Sequence, residues 1–346
     1  MATMKEIAAL SGVSVATVSH VLSGKKNVSS DTRDRVLAAI ELTNYKLNTI
    51  AQSLRMNKTG IIGVLVEDIC GLPVPEIVDG INECLEESGY QVLLSNLRLL
   101  GKLYNQYEQL SQCTDIVNRG LQLLEDARVE GIIYVAMHDR MIEGIHQPVN
   151  IPLAYAYAYT GTDDTSIASI TYDNENSALE ITRLLIAQNH RRIGIIAGHA
   201  YSPAAHRRLL GFRQAMDEAN LPIPPAYIRW GDWEYHSGLE QTQALLGMPV
   251  PPTAIFAMND LMAAGAYAAA QQRGLRIPDD LSVVGFDNCE LSAYLSPSLT
   301  TVALPNKEIG YAAAKRLLLS LNGESPSPKM LTLPCRIIRR HSTREL

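Results

Sequence analysis

The sequence predicts a small all-α headpiece joined to a large α/β domain that contains two doubly wound parallel sheets. Short helical segments with small apolar faces fill roughly the first 45 residues. From Gly60 onward, apolar and β-branched runs such as 61–66 (IIGVLV) and 192–197 (RIGIIA) alternate with amphipathic stretches such as 174–188. This alternation is typical of parallel strands buried under helices on both faces. There are too many such runs for one sheet, so two lobes with a ligand cleft between them are predicted.

Three short helices are predicted in the headpiece. Residues 3–6 (Thr-Met-Lys-Glu) fit a capping box, and Gly12 allows a sharp turn into a second helix over 15–22, which Ser14 caps. A third helix is predicted to begin at Ser29. The apolar residues at helical spacing along it are Val36, Leu37, Ile40 and Leu42. Helices of this length bury little surface, so the headpiece is expected to be marginally stable.

Residues 47–59 stand between the headpiece and the α/β domain. Ile50, Ala51 and Leu54 give this segment one apolar stripe, and Asn48 is placed to cap it as a helix. A lone helix of about ten residues is not stable in water, so the segment is predicted to need a partner. The predicted division is 1–46, 47–59 and 60–346, with one lobe at about 60–160 and 290–325 and the other at about 161–289 and 326–346.

The formal charge is unevenly distributed along the chain. The whole chain carries −6 at pH 7, which by itself argues against a nucleic-acid-binding protein. Residues 1–60, however, contain eight Lys or Arg and four acids, a net charge of +4, whereas the remainder contains 22 basic and 32 acidic residues, a net charge of −10. A small basic headpiece on an acidic domain is the asymmetry expected of a chain that meets phosphate at one end.

The cysteines and the hydropathy pattern exclude several classes of protein. The five cysteines are odd in number and widely scattered, so they form neither a disulfide framework nor a CxxC metal site, and neither a metal nor a cofactor is expected. The sequence has no apolar run of the about 20 residues that span a bilayer. Its start, MATMKEIAAL, lacks the apolar stretch of a signal peptide. A cytoplasmic location with no membrane partner is therefore expected.

Several motifs, in this order and over essentially the whole chain, resemble those of the LacI/GalR family of bacterial repressors. In the amino-terminal part they are GVSVATVSHVL (12–22), VSSDTRDRV (28–36) and NTIAQSLR (48–55). In the α/β part they include NHRRIG (189–194), GFDN (285–288), SPSLTTV (296–302) and RRHST (339–343). The resemblance implies a helix-turn-helix headpiece followed by a bilobed periplasmic-binding-protein-like domain. It also implies a sequence-specific transcriptional regulator, expected to be a repressor whose binding to double-stranded DNA is controlled by a small molecule in the interlobe cleft.

The resemblance assigns the helix over 15–22 to the reading of bases in the major groove. Val15 and Ala16 are small and apolar, which suits contact with thymine methyl groups, and His20 can donate to guanine N7 or O6. Thr17 and Ser19 lie behind them. The residues assigned to phosphate contacts are Thr3, Ser14, Lys25, Lys26 and Tyr45. The alternative is that Thr17, Ser19 and His20 are merely solvent-facing helix residues and that the two lysines belong to a solvated loop.

In this family the segment equivalent to 47–59 becomes a helix on the operator, and a leucine wedges into the minor groove. Leu54 occupies that position, and the alternative for it is a core leucine of the headpiece. The other DNA-contacting residues assigned to this segment are Asn48, Ala51, Arg55 and Lys58. Two dimer-related leucines would unstack a central CG step, so the resemblance predicts a pseudo-palindromic operator and a homodimer. No heptad helix follows RRHST, so a tetramer is not expected.

The resemblance also assigns residues to the interlobe cleft. Arg208 and Asp287 match an arginine and an acid that bind polar groups of the ligand, and the alternative for both is a salt bridge or a capped strand end. The other assigned residues are Asp68, Val74, Tyr157, Trp233 and Asn259. A sugar is indicated, because its C–H faces pack on aromatic rings while Asp, Asn and Arg satisfy its hydroxyl groups.

Departures from the family pattern leave the identity of the ligand open. Many relatives carry Asn-Pro-Phe-Phe in the first βα loop, where this chain reads CGLPVP at 70–75. The usual aromatic floor of the pocket is therefore missing. Tyr155, Tyr157 and Tyr159 alternate along a predicted strand, so one set of these rings is expected to line the cleft instead.

Two other classes of protein fit the sequence less well. Doubly wound folds host many enzymes, but the sequence contains no GxGxxG after a strand, no GxxxxGK[ST], no HExxH and no GxSxG, so no catalytic activity is expected. A periplasmic sugar-binding protein would need a signal peptide where this chain has the headpiece. Within the regulator class, the sequence does not decide whether the ligand releases DNA, strengthens its binding or acts with a phosphoprotein partner. Release by an inducer is the hypothesis.

Overall fold

The computed structural model describes residues 3–22, 28–43, 59–103, 112–142, 144, 146–161 and 167–346. The chain divides into two compact units, Met1–Thr59 and Gly60–Leu346. The headpiece helices lie in the first unit, and the α/β domain forms the second. Of the predicted hinge over 47–59, only Thr59 is among the described residues.

The described part of the headpiece contains α1 (Met4–Ser11), α2 (Val15–Leu22) and α3 (Ser30–Thr43). The predicted capping box is present, since the backbone N–H of Thr3 donates to Glu6 Oε2 (2.7 Å) and the backbone N–H of Glu6 donates to Thr3 Oγ1 (3.3 Å). Gly12 ends α1 in the left-handed conformation, with φ at 65°, which other residues rarely adopt. Ser29 caps α3 by accepting from the backbone N–H of Thr32 (3.3 Å).

The headpiece has a small core of its own. The buried apolar residues are Ile7, Ala8, Val18, Val21, Val36 and Ala39. The prediction that Leu37 and Leu42 belong to the apolar face of α3 is wrong, because these residues are 49% and 80% exposed. The buried face of α3 runs through Val36, Ala39 and the partly buried Ile40, and at about 100° per residue the two leucines point away from it.

The α/β domain alternates strands with helices. Its described strands are β1 (Ile61–Val66), β2 (Gln91–Asn96), β3 (Gly131–Met141), β4 (Leu153–Tyr159), β5 (Ala168–Tyr172), β6 (Ile193–Ala197), β7 (Ile228–Trp230), β8 (Ala254–Ala257), β9 (Ser282–Val284), β10 (Thr301–Ala303), β11 (Met330–Leu333) and β12 (Arg336–Ile338). Its described α-helices are α4 (Val74–Glu87), α5 (Leu100–Leu103), α6 (Thr114–Asp126), α7 (Asn174–Ala187), α8 (Pro203–Glu218), α9 (Tyr235–Leu246), α10 (Asp260–Gln272), α11 (Glu290–Tyr294) and α12 (Asn306–Leu321).

Two parallel sheets confirm the predicted fold class. The first sheet has the strand order β2-β1-β3-β4-β5-β11, and the second has the order β7-β6-β8-β9. All strand pairs within these two sheets are parallel. A separate antiparallel pair joins β10 to β12. The inner strands β1, β3, β4, β5, β6 and β8 are mostly buried, which explains why their sequences are rich in apolar residues.

The two sheets do not divide at the predicted lobe boundaries of about 160 and 325. Strand β5 pairs with β4, and β11 pairs with β5 so that Met330 lies opposite Ser169. Residues 168–172 and 330–333 therefore belong to the first sheet, which corrects the predicted boundaries. The sequence gives little sign of β11, because it is a four-residue strand at the sheet edge with only partial burial.

Helices α4 and α12 pack backbone to backbone on the first lobe. A Cβ added to Gly80 would lie 1.9 Å from the carbonyl oxygen of Lys307, and one added to Gly310 would lie 1.9 Å from the carbonyl oxygen of Ile77. Lys307 Nζ also pairs with Asp79 (2.9 Å) on α4. The two glycines thus allow the close approach that brings the first turns of both helices together.

Replacing Gly310 by alanine is expected to lower the free energy of unfolding by roughly 1–3 kcal/mol, because the new methyl group forces the two helix backbones apart. Urea denaturation followed by circular dichroism measures the change. Gly101→Ala is the control, since a Cβ at Gly101 meets nothing within 4 Å. A Gly310→Ala protein as stable as the Gly101→Ala protein would contradict the described packing.

Candidate functional site

A cavity of about 250 Å³ lies between the two parallel sheets of the α/β domain. Most of its lining comes from segments that follow strands at their carboxyl ends, which is where open α/β sheets place their ligands. The lining residues in these segments are Cys70, Gly71, Leu72, Pro73, Glu76, Ser202, Ala204, Arg208, Asp232, Trp233, Glu234, Asn259, Leu261, Asp287, Asn288, Cys289, Leu304 and Asn306. Met137, His138 and Asp139 line the cavity from the last part of β3. Tyr157 and Tyr172, on the neighbouring strands β4 and β5, complete one wall. Both lobes therefore contribute to a single cleft.

Arg208 on α8 lies at the centre of this cleft and is 3% exposed. Its Nε donates to Asn174 Oδ1 (2.9 Å), its Nη2 donates to the Tyr172 hydroxyl (2.8 Å), and its Nη1 donates to the carbonyl oxygen of Met258. The guanidinium also stacks on the ring of Phe286, 3.7 Å from the ring centroid. Arg208 is thus held rigidly by partners from both lobes.

Asp287 is the acidic partner of Arg208, with Oδ1 3.8 Å from Nη2. It follows β9 with φ at 110°, a conformation that non-glycine residues rarely adopt and that is common at functional sites. Burial raises the pKa of its carboxyl group to about 7, although Arg208 acts in the opposite direction. Arg208 and Asp287 therefore form an ion pair within the cavity lining. The interpretation of these residues as ligand-binding groups is compatible with the alternative that they form a salt bridge.

A second carboxylate of the cleft, Asp139, is buried near the end of β3. It accepts from Asn174 Nδ2 (2.8 Å) and from the Thr171 hydroxyl, and burial raises the pKa of its carboxyl group to about 6. Burial lowers the pKa of the neighbouring His138 to about 3, so this imidazole is neutral. Asn174 therefore connects Asp139 to Arg208 and fixes the polar groups of the cleft relative to one another.

Tyr157 supplies an aromatic ring to the cleft. Its ring stacks on Tyr172 with centroids 5.2 Å apart. A bulge in β4 pairs both Ala156 and Ala158 with Ile170 and gives Tyr157 a φ of 63°. Because the bulge interrupts the alternation of the strand, Tyr157 lines the cavity, whereas Tyr155 and Tyr159 do not.

Trp233 and Asn259 lie together on the second lobe. Asn259 Nδ2 donates to the carbonyl oxygen of Trp233 (2.8 Å), and Asn259 Oδ1 caps α10 by accepting from the backbone N–H of Met262 (2.9 Å). Trp233 has a φ of 74°, and its ring lies beside Arg208, at 5.5 Å from the guanidinium carbon. Asn259 thus positions the loop that carries Trp233.

The structure brings five of the seven assigned cleft residues to the cavity. These are Tyr157, Arg208, Trp233, Asn259 and Asp287. It does not bring Asp68 or Val74 there. The Asp68 carboxylate instead accepts from the backbone N–H groups of Cys70 (3.1 Å) and Leu100 (3.1 Å), and Val74 is fully buried in the core of the first lobe.

In the headpiece, Ser14 caps α2, which begins at Val15. The backbone N–H of Thr17 donates to Ser14 Oγ (3.1 Å), and the two hydroxyl groups lie 2.9 Å apart. Ala16 and His20 are exposed on this helix, while Val15, Thr17 and Ser19 are partly buried. Thr3 caps α1 and is exposed. The assigned residues outside the described part of the chain are Lys25, Lys26, Tyr45, Asn48, Ala51, Leu54, Arg55 and Lys58.

Known proteins match both parts of the chain. Residues 3–48 match the lacI family of bacterial regulatory proteins, and residues 182–343 match a periplasmic binding protein-like domain. The chain is 34% identical over 346 residues to catabolite control protein A of Priestia megaterium, which covers 99% of both proteins. The chain belongs to the LacI family. It is therefore a bacterial regulatory protein with the DNA-binding domain of that family.

Other LacI-family proteins extend the match. The HTH-type transcriptional repressor CytR of Escherichia coli (strain K12) is 34% identical over 345 residues, which is 100% of this chain and 97% of CytR. The structure of the lac repressor dimer bound to operator and the anti-inducer ONPF has a TM-score of 0.79 at 28% identity, with 99% of both chains covered. A complex of the regulator CelR with cellobiose has a TM-score of 0.67 at 26% identity, covering 99% of this chain and 100% of CelR.

Several cleft residues of this LacI-family chain were not assigned from the sequence. They include Glu76, His138, Asp139, Tyr172, Asp232 and Asn306. The signal that was available for Asp139 and Asp232 is their position, because each lies close to the carboxyl end of a parallel strand. Glu76 and Asn306 lie in the first turns of two helices that only the fold brings together.

The described ranges hold neither a metal site nor a membrane-spanning helix. No group of three or more His, Cys, Asp or Glu side chains there could hold a metal ion, and no helix within those ranges has the length and apolar character needed to cross a membrane. The five cysteines are free thiols. Burial raises the pKa of the Cys289 thiol, which lines the cleft, to about 12, so this thiol is a poor nucleophile.

The partly buried carboxyl group of Asp287 is expected to make stability fall as the pH rises. Its folded-state pKa of about 7 lies above the ordinary pKa of 3.8 for an aspartate, so the folded chain binds more protons than the unfolded chain between these two pH values. The free energy of unfolding should therefore decrease from about pH 4 to about pH 7, and Asp287→Asn should reduce that decrease. Urea denaturation at pH 5 and pH 8 measures it, with the exposed Asp279→Asn as control. Identical pH dependence of the two variants would contradict this assignment.

Proposed function

We propose that this LacI-family protein is a transcriptional repressor that binds a pseudo-palindromic operator as a homodimer and is released when a small molecule occupies the interlobe cleft. The observation that carries the proposal is the Arg208–Asp287 pair at the centre of a polar cleft, in the same chain as a helix-turn-helix headpiece. Such a cleft suits a ligand with several hydrogen-bonding groups and a flat apolar face. The chain acts by binding, and no catalytic step is proposed.

The names of the relatives support this proposal. CytR of Escherichia coli and PurR of Vibrio campbellii are transcriptional repressors, and the Haemophilus influenzae relative is a ribose operon repressor. Solved structures of relatives contain operator DNA, ONPF or cellobiose. We infer a sugar or a similarly polyhydroxylated molecule as the ligand, and a cytoplasmic location in which the chain meets DNA.

The proposed roles in DNA recognition follow the headpiece geometry. Helix α2 would enter the major groove with Ala16 and His20 toward the bases, because these side chains are exposed. Thr3 and Ser14 lie at the amino termini of α1 and α2. The free backbone N–H groups at a helix amino terminus bind phosphate oxygens, so both residues are suited to phosphate contacts. Val15, Thr17 and Ser19 complete the proposed recognition surface.

The proposed division of labour is 1–46 for DNA recognition, 47–59 for the hinge and 60–346 for ligand binding and dimerisation. Ligand binding would close the two lobes, and the segment 47–59 would carry this change to the headpiece as an order–disorder switch. Leu54 would be the minor-groove wedge, with Asn48, Ala51, Arg55 and Lys58 as further DNA contacts and Tyr45 on phosphate.

Selection from randomised DNA duplexes tests the DNA-binding proposal. The full chain should enrich a two-fold-related site with a central CG step, and sedimentation should show two chains on each duplex. The Ala16→Glu variant, which places a carboxylate on the exposed face of α2, should fail to enrich it because of repulsion by phosphate. Ala38→Glu, at an exposed position of α3, is the matched control. Failure of the unmodified chain to enrich any sequence would contradict the proposal.

The direction of the ligand's effect has its own test. Fluorescence anisotropy with the selected duplex should show operator affinity falling when a cleft ligand is added. Tighter operator binding in the presence of the ligand would show that the ligand acts as a corepressor and not as an inducer.

A further inference from the structure

One end of the cleft is formed by Glu76 and Asn306. Glu76 lies in the first turn of α4, Asn306 begins α12, and both line the cavity. The close packing at Gly80 and Gly310 brings these two helix starts together. Asn306 Nδ2 donates to Glu76 Oε2 (2.9 Å). We refer to these two residues as the acceptor corner, because each side chain carries an oxygen atom that can accept a hydrogen bond.

The orientation of the Asn306 amide follows from its partner. An ionised carboxylate only accepts hydrogen bonds, so the NH2 group of Asn306 must face Glu76 and the amide oxygen must face away. Asn306 is 7% exposed, and its Oδ1 atom is buried with no hydrogen-bond partner among the described residues. A buried carbonyl oxygen without a partner costs free energy, and such groups are uncommon in stable folds. This oxygen is therefore suited to accept from a ligand that enters the cleft.

The charge of the cleft points to the same kind of ligand. The carboxyl groups among the lining residues are those of Glu76, Asp139, Asp232, Glu234 and Asp287. Among the described lining residues Arg208 is the only Arg or Lys, and its donors are directed at Asn174, Tyr172 and Met258. A phosphate or carboxylate in this cleft would meet these carboxyl groups with the single guanidinium of Arg208 to balance their charge.

The acceptor corner offers two acceptors at one place, the Asn306 amide oxygen and the Glu76 carboxylate. A ligand hydroxyl group donates one hydrogen bond, whereas an amino group donates two or three. We propose that the cleft ligand carries an amino group that donates to Asn306 and Glu76, and that it carries neither phosphate nor carboxylate. This inference rests on the proposed function, because the ligand is the effector. The amino group belongs either to an amino sugar or to the exocyclic amine of a nucleoside base.

Matched pairs of compounds test this inference by calorimetry on the full chain without DNA. The pairs are glucose and glucosamine, galactose and galactosamine, uridine and cytidine, and inosine and adenosine. In each pair, one member presents an amino group where the other presents oxygen. In at least one pair the amino member should bind roughly 10-fold tighter or more, which is the effect of a charge-assisted hydrogen bond. The phosphorylated derivative of that amino compound should bind more weakly than the amino compound itself. The sugar pairs and the nucleoside pairs distinguish the two sources of the amino group.

Two variants assign the preference to the acceptor corner. Asn306→Leu removes the amide oxygen at similar volume, and Glu76→Gln removes the charge; each should reduce the ratio of affinities within the pair to below about 3-fold. Glu83→Gln is the matched control, since Glu83 lies on the same helix, pairs with Lys307 (2.8 Å) and does not line the cavity. Thermal denaturation confirms that each variant is folded.

Four outcomes overturn the inference. They are equal binding within all pairs, no binding by any amino member, tighter binding by a phosphorylated derivative, and a preference that persists in Asn306→Leu. None of these involves DNA. An amino compound that binds with the expected preference but leaves operator affinity unchanged would support the inference and contradict the proposed function, so the two failures are distinguishable.

Discussion

Replacing Arg208 by methionine is expected to lower the free energy of unfolding by about 3–5 kcal/mol, the range seen when one partner of a buried ion pair is removed. The loss arises because Asn174 Oδ1, the Met258 carbonyl oxygen and the Asp287 carboxylate lose their donor or counter-charge in a buried site. Ligand binding should be lost as well, since the same guanidinium fixes groups of both lobes. Urea denaturation and calorimetry measure the two effects.

Arg207→Met is the matched control for this substitution. Arg207 precedes Arg208 on α8, is only partly buried, and donates to the Tyr159 hydroxyl (3.2 Å) outside the cavity lining. Its removal should cost much less stability. The double substitution Arg208→Met with Asp287→Leu should recover part of the loss, because no unpaired carboxylate remains. Equal destabilisation by the two single substitutions would show that the buried network around Arg208 has no special role.

Replacing Leu54 by alanine is expected to weaken binding to the selected operator by about 100-fold, corresponding to a few kcal/mol for a side chain that wedges between base pairs. Binding to DNA of unrelated sequence should change little, because that binding depends on phosphate contacts. Fluorescence anisotropy at one fixed salt concentration measures both affinities. Calorimetry should give an unchanged ligand affinity.

Leu42→Ala is the control for the wedge, because Leu42 is a headpiece leucine that is 80% exposed. It should leave operator affinity within about 3-fold of the unmodified chain, as expected for a surface substitution. If Leu54→Ala binds the operator as tightly as Leu42→Ala does, the proposed wedge is wrong. If Leu54→Ala unfolds the headpiece in thermal denaturation, Leu54 is a core residue instead.

The sequence predicts those features that depend on long or local patterns. The apolar runs at β1, β3 and β6 are long and β-branched, so the parallel sheets follow from them. The cap at Thr3 and the turn at Gly12 follow from local chemistry. Strand β11 escapes this reasoning, because an edge strand of four residues is specified by its pairing with β5 rather than by its own pattern. Helix α3 shows the opposite failure, since apolar Leu37 and Leu42 are exposed.

The cleft residues divide in the same way. Arg208 and Asp287 lie in recognisable motifs, and the structure places both in the cavity. Tyr157 reaches the cavity through a bulge that shifts the register between β4 and β5, which alternation alone does not predict. Asp68 has a polar side chain in the right part of the chain, but its backbone hydrogen bonds hold the loop after β1. Glu76 and Asn306 are 230 residues apart in sequence, and only the packing of α4 on α12 makes them neighbours.

The coupling between ligand and DNA is the central claim, and a reciprocal binding measurement tests it most directly. The tightest-binding compound of the matched pairs is titrated by calorimetry into the free chain and into the chain saturated with operator, and operator affinity is measured with and without that compound. Linkage requires the two ratios of affinity to be equal. The proposed mechanism expects both to show a weakening of about 10-fold or more, within the usual range of allosteric coupling. A ligand affinity that is the same in the free and the operator-bound protein would contradict it.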